Sequence, residues 1–170
     1  MTEAVDELFT GQSQTIAQRA YEIAIQQRQS IIDVSHVFLS LLDYPDETLS
    51  QVFDDISLNI ERMKVDTLKV VELQLKVPFW RGRKYKVYIT PLVKESIDDA
   101  IALSKELREQ KASSVHIFWG VVHACMEEHP RPTETQYRMC EIFSENHITP
   151  EKIVNALRKT RRRSEDQRMG

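Results

Sequence analysis

Residues 34–42, VSHVFLSLL, return in close paraphrase at residues 114–122 as SVHIFWGVV, and this recurrence constrains the fold more than any other feature of the chain. Each copy sets a serine and a histidine ahead of an almost wholly apolar run. His36 and His116 are 80 residues apart. The same offset carries Thr10 onto Thr90, Ala20 onto Ala100, Ile23 onto Leu103, Ala24 onto Ser104 and Phe38 onto Phe118. Further along, an offset of 90 carries Val52 onto Ile142, Phe53 onto Phe143, Leu58 onto Ile148, Glu61 onto Glu151 and Met63 onto Ile153. One chemical type in one order at a fixed spacing marks a duplicated unit. The extra ten residues belong to the second unit, and EEHPRPTETQ (127–136), with two prolines, is the polar stretch that suits a surface loop.

Each unit reads as four helices. The first runs from about Gln12 to Gln29, with Ile16, Ala17, Ala20, Ile23 and Ala24 forming an i, i+3/i+4 stripe. Its second copy opens on Thr90-Pro91, a cap residue followed by proline where the missing N–H is harmless. The histidine-bearing run is apolar on nearly every face, as a central buried helix requires. Asp33 or Ser35 can cap it in the first unit, and Ser113 or Ser114 in the second. A short helix follows near Thr48–Asp54 and Tyr137–Glu145, and the fourth starts at NIERM (59–63) and TPEKI (149–153). A histidine opening a buried helix ordinarily hydrogen-bonds the preceding loop while its ring packs. Two of them, one per unit, favour this structural job for His36 and His116, because a general base needs a positioned partner and seldom comes in duplicate.

Between the units lies LQLKVPFWRGRKYKVYIT (73–90), which does not repeat. Leu73, Leu75, Val77 and Phe79 alternate with polar residues, as do Tyr85, Val87 and Ile89 across a turn near Gly82. That period fits a short β-hairpin with Pro78 at an edge, or else an irregular strap across both units. The segment holds Lys76, Arg81, Arg83, Lys84 and Lys86 and no acid. Trp80 beside arginines suits an acidic peptide, a nucleic acid, or a groove of its own domain. A second basic run, RKTRRR (158–163), passes into a polar end and reads as a solvated tail.

Composition narrows the function classes. With 41% hydrophobic residues, 29% charged residues and only 4 Gly, the chain reads as soluble, globular and helix-rich. A net charge of -3 weighs against a general nucleic-acid binder. No apolar run approaches the ~20 residues of a membrane span, and Met1–Gly11 lacks the pattern of a signal peptide. Two cysteines, Cys125 and Cys140, are too few for a disulfide scaffold and point to reduced thiols in the cytoplasm. His123, Cys125 and His129, with Cys140 as a fourth ligand, fit no common zinc spacing, so no metal and no cofactor is expected. No paired carboxylates, nucleophile–base set or phosphate loop of the form G-x-x-x-x-G-K-[ST] occurs, so no catalysis is expected of these 170 residues.

The tandem units, LFTGQSQTIAQRAYEIA with DVSHVFLSLL and YITPLVKESIDDAIALS with SVHIFWGVV, resemble the N-terminal domain of Clp/Hsp100 AAA+ unfoldases. The likeness covers about residues 8–72 and 88–160. It implies an all-α, pseudo-twofold domain of eight helices. The boundaries expected are repeat one at 8–72, a basic inter-repeat segment at 73–89, repeat two at 90–160 (together a single domain, 1–160) and a polar basic tail at 161–170. The resemblance further implies a docking role: such domains hold protein substrates or adaptors for an ATPase ring. For this chain the resemblance implies such a ring in cis in a longer chain or in trans. One branch of the family binds phosphoarginine through a threonine at the first helix start and an acid near the histidine. Thr10 and Thr90 match the threonines, but the acids fall on Ser35 and Val115, so weak or lost phosphoarginine binding is expected. Protein recognition by apolar surface remains, with Phe79, Trp80, Arg81, Arg83 and Tyr85 as candidate contacts beside the two threonines. The alternative is a nucleic-acid-binding or regulatory module using the basic residues of 76–86 and 158–163.

Overall fold

The computed structural model describes residues 7–78 and 85–170. Repeat one comprises α1 (Gly11–Gln26), β1 (Ile31–Ile32), α2 (Val34–Asp43), α3 (Glu47–Asp55) and α4 (Ile60–Glu72). Repeat two comprises β2 (Tyr88–Ile89), α5 (Pro91–Glu106), α6 (Ser114–Met126), α7 (Glu134–Glu145) and α8 (Pro150–Met169). The fold is all-α, with four helices per repeat and one minimal two-stranded sheet among the described residues. None of these helices is long and apolar enough to cross a membrane.

Helix starts follow the capping residues. Thr10, Thr90, Asp46, Asn59, Thr133 and Thr149 each accept a backbone N–H two or three residues into their helix. Helix ends follow the duplication more closely than any side chain does. Among the described residues, the non-glycine residues with positive φ are Arg28 and Arg108, 80 apart, and Ser57 and His147, 90 apart. Each sits in the turn after a helix, where a left-handed residue lets the chain reverse. Arg28 ends α1 at Gln26, short of the sequence expectation, and leaves Gln29 buried in the following loop. The first turn of α7, from Glu134, uses the last residues of the proline-bearing insert, so only its earlier part is loop. The basic run 158–163 and the residues to Met169 continue α8, with exposed side chains from Arg162 onward.

The two repeats lock by reciprocal pairing. β1 and β2 pair in parallel, Ile31 with Tyr88 and Ile32 with Ile89. The pseudo-twofold mate of the second pair is a lone parallel bridge between Phe9 and Ala112. Each repeat therefore offers the stretch before its first helix to the loop before the other's central helix. This corrects the hairpin reading. Tyr88 and Ile89 are extended because repeat one supplies their partner strand, while residues 75–78 form no strand.

One core runs through both repeats. Phe38 of α2 stacks on Phe118 of α6 at 5.8 Å, and each meets an aromatic of the other repeat edge-on, Phe143 at 5.0 Å and Phe53 at 5.2 Å. The packing of α5 on α6 is closer still. A Cβ on Gly120 would stand 2.1 Å from the Ser96 carbonyl oxygen. Gly120→Ala is expected to destabilise the fold by ~1–3 kcal/mol through overpacking, despite the ~1 kcal/mol that alanine gains in a helix. At the equivalent Ser40, whose hydroxyl bonds only the His36 carbonyl (2.8 Å), alanine should cost under ~1.5 kcal/mol. Urea-unfolding midpoints compared side by side test this, and equal losses would contradict it.

Candidate docking surface

The inter-repeat segment is tied at both ends to one loop of repeat one. On one limb, Val77 N–H donates to the Arg28 carbonyl, and the Gln74 side chain donates to Ser35 Oγ at 3.0 Å. On the other, Tyr88 N–H donates to the Ser30 carbonyl and Thr90 N–H to the Ile32 carbonyl. Residues 28–35 thus anchor both limbs. Four large apolar side chains on these limbs stay exposed: Leu73 at 60%, Leu75 at 92%, Tyr88 at 60% and Ile89 at 52%. Apolar surface held in one region by a backbone-bonded scaffold is the ordinary mark of a recognition site. Phe79, Trp80, Arg81 and Arg83 lie outside the described residues. Tyr85 is half-buried, and its hydroxyl has no partner among the described residues.

The threonines occupy pseudo-equivalent caps that face the opposite repeat. Thr90 Oγ1 accepts Val93 N–H and donates to Asp33 Oδ1 at 3.0 Å. Thr10 caps Ser13, whose hydroxyl crosses to the Ala112 carbonyl at 2.9 Å. Ser35 and Val115 are fully buried, so neither offers a group to a ligand at the surface. The acid that sequence reasoning did not connect to Thr90 is Asp33. It is 4% exposed, and Oδ1 also accepts Val34 N–H at 2.8 Å, so the carboxylate is committed to the helix cap. The signal was in the sequence, since Asp33 precedes a buried helix, but its cross-repeat partner was not.

Behind this seam sit the two histidines. His36 Nδ1 accepts Asp33 N–H at 3.0 Å, which places the proton of the neutral ring on Nε2, where it donates to Gln29 Oε1 at 2.7 Å. Gln29 in turn donates to the Val71 carbonyl at the end of α4 (2.6 Å). His116 Nδ1 likewise accepts Ser113 N–H at 2.9 Å. Glu109 replaces Gln29 at the matching position. Its Oε2 lies 3.2 Å from His116 Nε2, outside hydrogen-bond alignment, while Oε1 pairs with Arg161 of α8. Burial pushes both imidazoles down to about 4, and for His116 this outweighs the nearby carboxylate. Both rings are neutral caps at physiological pH.

A cleft of about 620 Å³ opens elsewhere between the repeats, where the left-handed turns at Ser57 and His147 come together. Asp55, Asn146, Lys152, Asn155 and Lys159 bring polar groups to its lining beside Ile56 and Ala156. The apolar anchors lie on the limbs of the inter-repeat segment instead. Cys125 is buried, and desolvation pushes its thiol up, favouring the protonated form.

Comparison with known proteins places this geometry in context. The family model described as Clp repeat (R) N-terminal domain matches residues 8–127. Chaperone protein ClpB of Clostridium perfringens (strain 13 / Type A) is 23% identical over 146 residues, covering 84% of this chain. The chain spans only 16% of that relative's length. Among solved structures, the Hsp104 N-terminal domain from Candida albicans aligns with a TM-score of 0.66 at 16% identity, covering 91% of this chain and 92% of its own. A ClpV N-domain in complex with a VipB peptide aligns with a TM-score of 0.63 at 18% identity, covering 89% of this chain and 85% of its own.

Proposed function

The chain belongs to the Clp repeat N-terminal domain family, and from that premise we propose that it is a non-catalytic docking domain for protein clients or adaptors of a Clp-type ATPase. Its domain is residues 1–160, with the motor in cis or in trans. The observation that carries the reading is the set of exposed apolar side chains, Leu73, Leu75, Tyr88 and Ile89, on limbs fixed to one loop. They supply anchors for an unfolded or amphipathic segment, and binding energy concentrates in a few such anchors. Phe79, Trp80, Arg81, Arg83 and Tyr85 lie between the limbs and add aromatic and cationic contacts in this proposal. The peptide complex of a ClpV N-domain supports the same use of the fold. Thr10 and Thr90 serve as caps. With Asp33 committed and Ser35 and Val115 buried, the side chains beside them offer no free carboxylate to a phosphoarginine guanidinium.

Fluorescence anisotropy with a labelled, carboxymethylated and permanently unfolded polypeptide tests this. Saturable binding is expected, weakened at least about ten-fold in a Leu75→Asp/Tyr88→Asp variant of unchanged circular dichroism. Absence of binding, or equal affinity in the variant, would count against the proposal. The nucleic-acid alternative would draw on α8, where Lys159 and Arg163 pair with Asp55 and Arg161 with Glu109. It predicts retention of duplex DNA at low salt with a steep fall as salt is added.

A further inference from the structure

We propose that Glu95, Glu127 and His129 form a site for a borderline divalent cation of the zinc, cobalt and nickel class. The three residues come from different parts of the fold. Glu95 lies on α5, Glu127 is the C-cap of α6, and His129 lies in the insert that repeat one lacks. One donor atom from each, two carboxylate oxygens and an imidazole nitrogen, lie within 4.8 Å of one another. Ligands about 2.0–2.2 Å from one ion stand roughly 3–3.6 Å apart, so modest rotamer adjustment closes the set. The side chains are free to make it, being 34%, 49% and 23% exposed. Imidazole with carboxylate, and no thiolate, suits this class of ion.

Two further features support the assignment. Glu95 and Glu127 hold a carboxylate oxygen each within 4.8 Å of the other, an arrangement that two ionised carboxylates keep poorly unless a cation sits between them. His123 is set beside them as a second imidazole. Its Nδ1 lies 2.8 Å from Asp99 Oδ2, its ring stacks on Trp119 at 4.5 Å, and its Nε2 faces Glu127 Oε1 at 3.5 Å. A carboxylate behind an imidazole is the arrangement that orients histidines around metals, and here His123 acts as a positioning residue for Glu127. His129 Nε2 faces Glu95 Oε1 at 3.7 Å and is 3.2 Å from the Ala124 carbonyl. Binding replaces that long hydrogen bond with a metal–nitrogen bond. The ion then staples the insert of repeat two to α5, a connection with no counterpart in repeat one. Neither cysteine takes part.

The test uses the full 170-residue chain, without an affinity tag and stripped of metal with chelator, titrated with zinc by calorimetry and with cobalt by absorption at about pH 7.5. One saturable site per chain is expected, with a cobalt d–d band and affinity falling as the pH is lowered, since protons compete for His129. His129→Gln and Glu95→Gln should each weaken binding more than about ten-fold. Cys140→Ser and His147→Gln should leave it unchanged. No saturable binding would overturn the proposal. Wild-type affinity in His129→Gln, or loss of binding in Cys140→Ser, would also overturn it by placing the ion elsewhere.

Discussion

Phe38→Ala is expected to lower the unfolding free energy by ~3–5 kcal/mol. Phe38 is fully buried, stacked on Phe118 and edge-on to Phe143, so the substitution removes contacts to both aromatics of the other repeat at once. The cavity lies where α2 and α6 meet, and neither helix can collapse into it without parting from its own repeat. For a chain of this size a loss of that order lowers Tm by roughly 6–20 °C. A double-mutant cycle with Phe118→Ala should show coupling above ~0.5 kcal/mol, because the rings are in direct contact. Additive losses would mean that the repeats unfold without reference to each other.

Acidification should cost as much as that substitution. The unfolded chain protonates its imidazoles near 6.5, whereas His36 and His116 in the fold resist protonation down to about 4. Between those values unfolding takes up protons. The contribution of each histidine is therefore present in full above 6.5 and is lost progressively as pH falls toward 4. At about pH 4.5 the loss is on the order of 2–3 kcal/mol per histidine. Urea-unfolding midpoints between pH 7 and about 4.5 measure the slope, and His36→Gln and His116→Gln should each flatten it. An unchanged slope in both variants would show that carboxylates alone set the acid response.

Helix placement was legible because burial imposes a period. The α2 and α6 runs read as buried helices from their apolar residues, and the offsets of 80 and 90 carried the duplication. What the sequence hid was what depends on contacts between repeats. Arg28, Ser57, Arg108 and His147 take left-handed backbone without being glycine, so no residue type announces them. β1 and β2 are too short to carry a strand pattern, and the alternation at Tyr85–Ile89 suggested a hairpin although the partner strand lies in repeat one. At the site, Thr90 was readable as a cap and His36 and His116 as loop-bonded structural residues from local spacing. The Thr90–Asp33 contact and the Glu95–Glu127–His129 cluster bring together residues far apart in sequence. The exposed limbs carried an alternation like that of buried strands, so their exposure needed the fold to reveal it.

The account rests on two copies of one helical unit closing over a common interior. Native-state hydrogen exchange read by mass spectrometry probes this directly, by comparing the slowest amides of α2 and α6 as urea is raised. The account predicts that both helices exchange through one global opening, with the same free energy and the same urea dependence. If α2 lost its protection at a urea concentration where α6 was still closed, each repeat would hold its own core, and a shared interior would be ruled out.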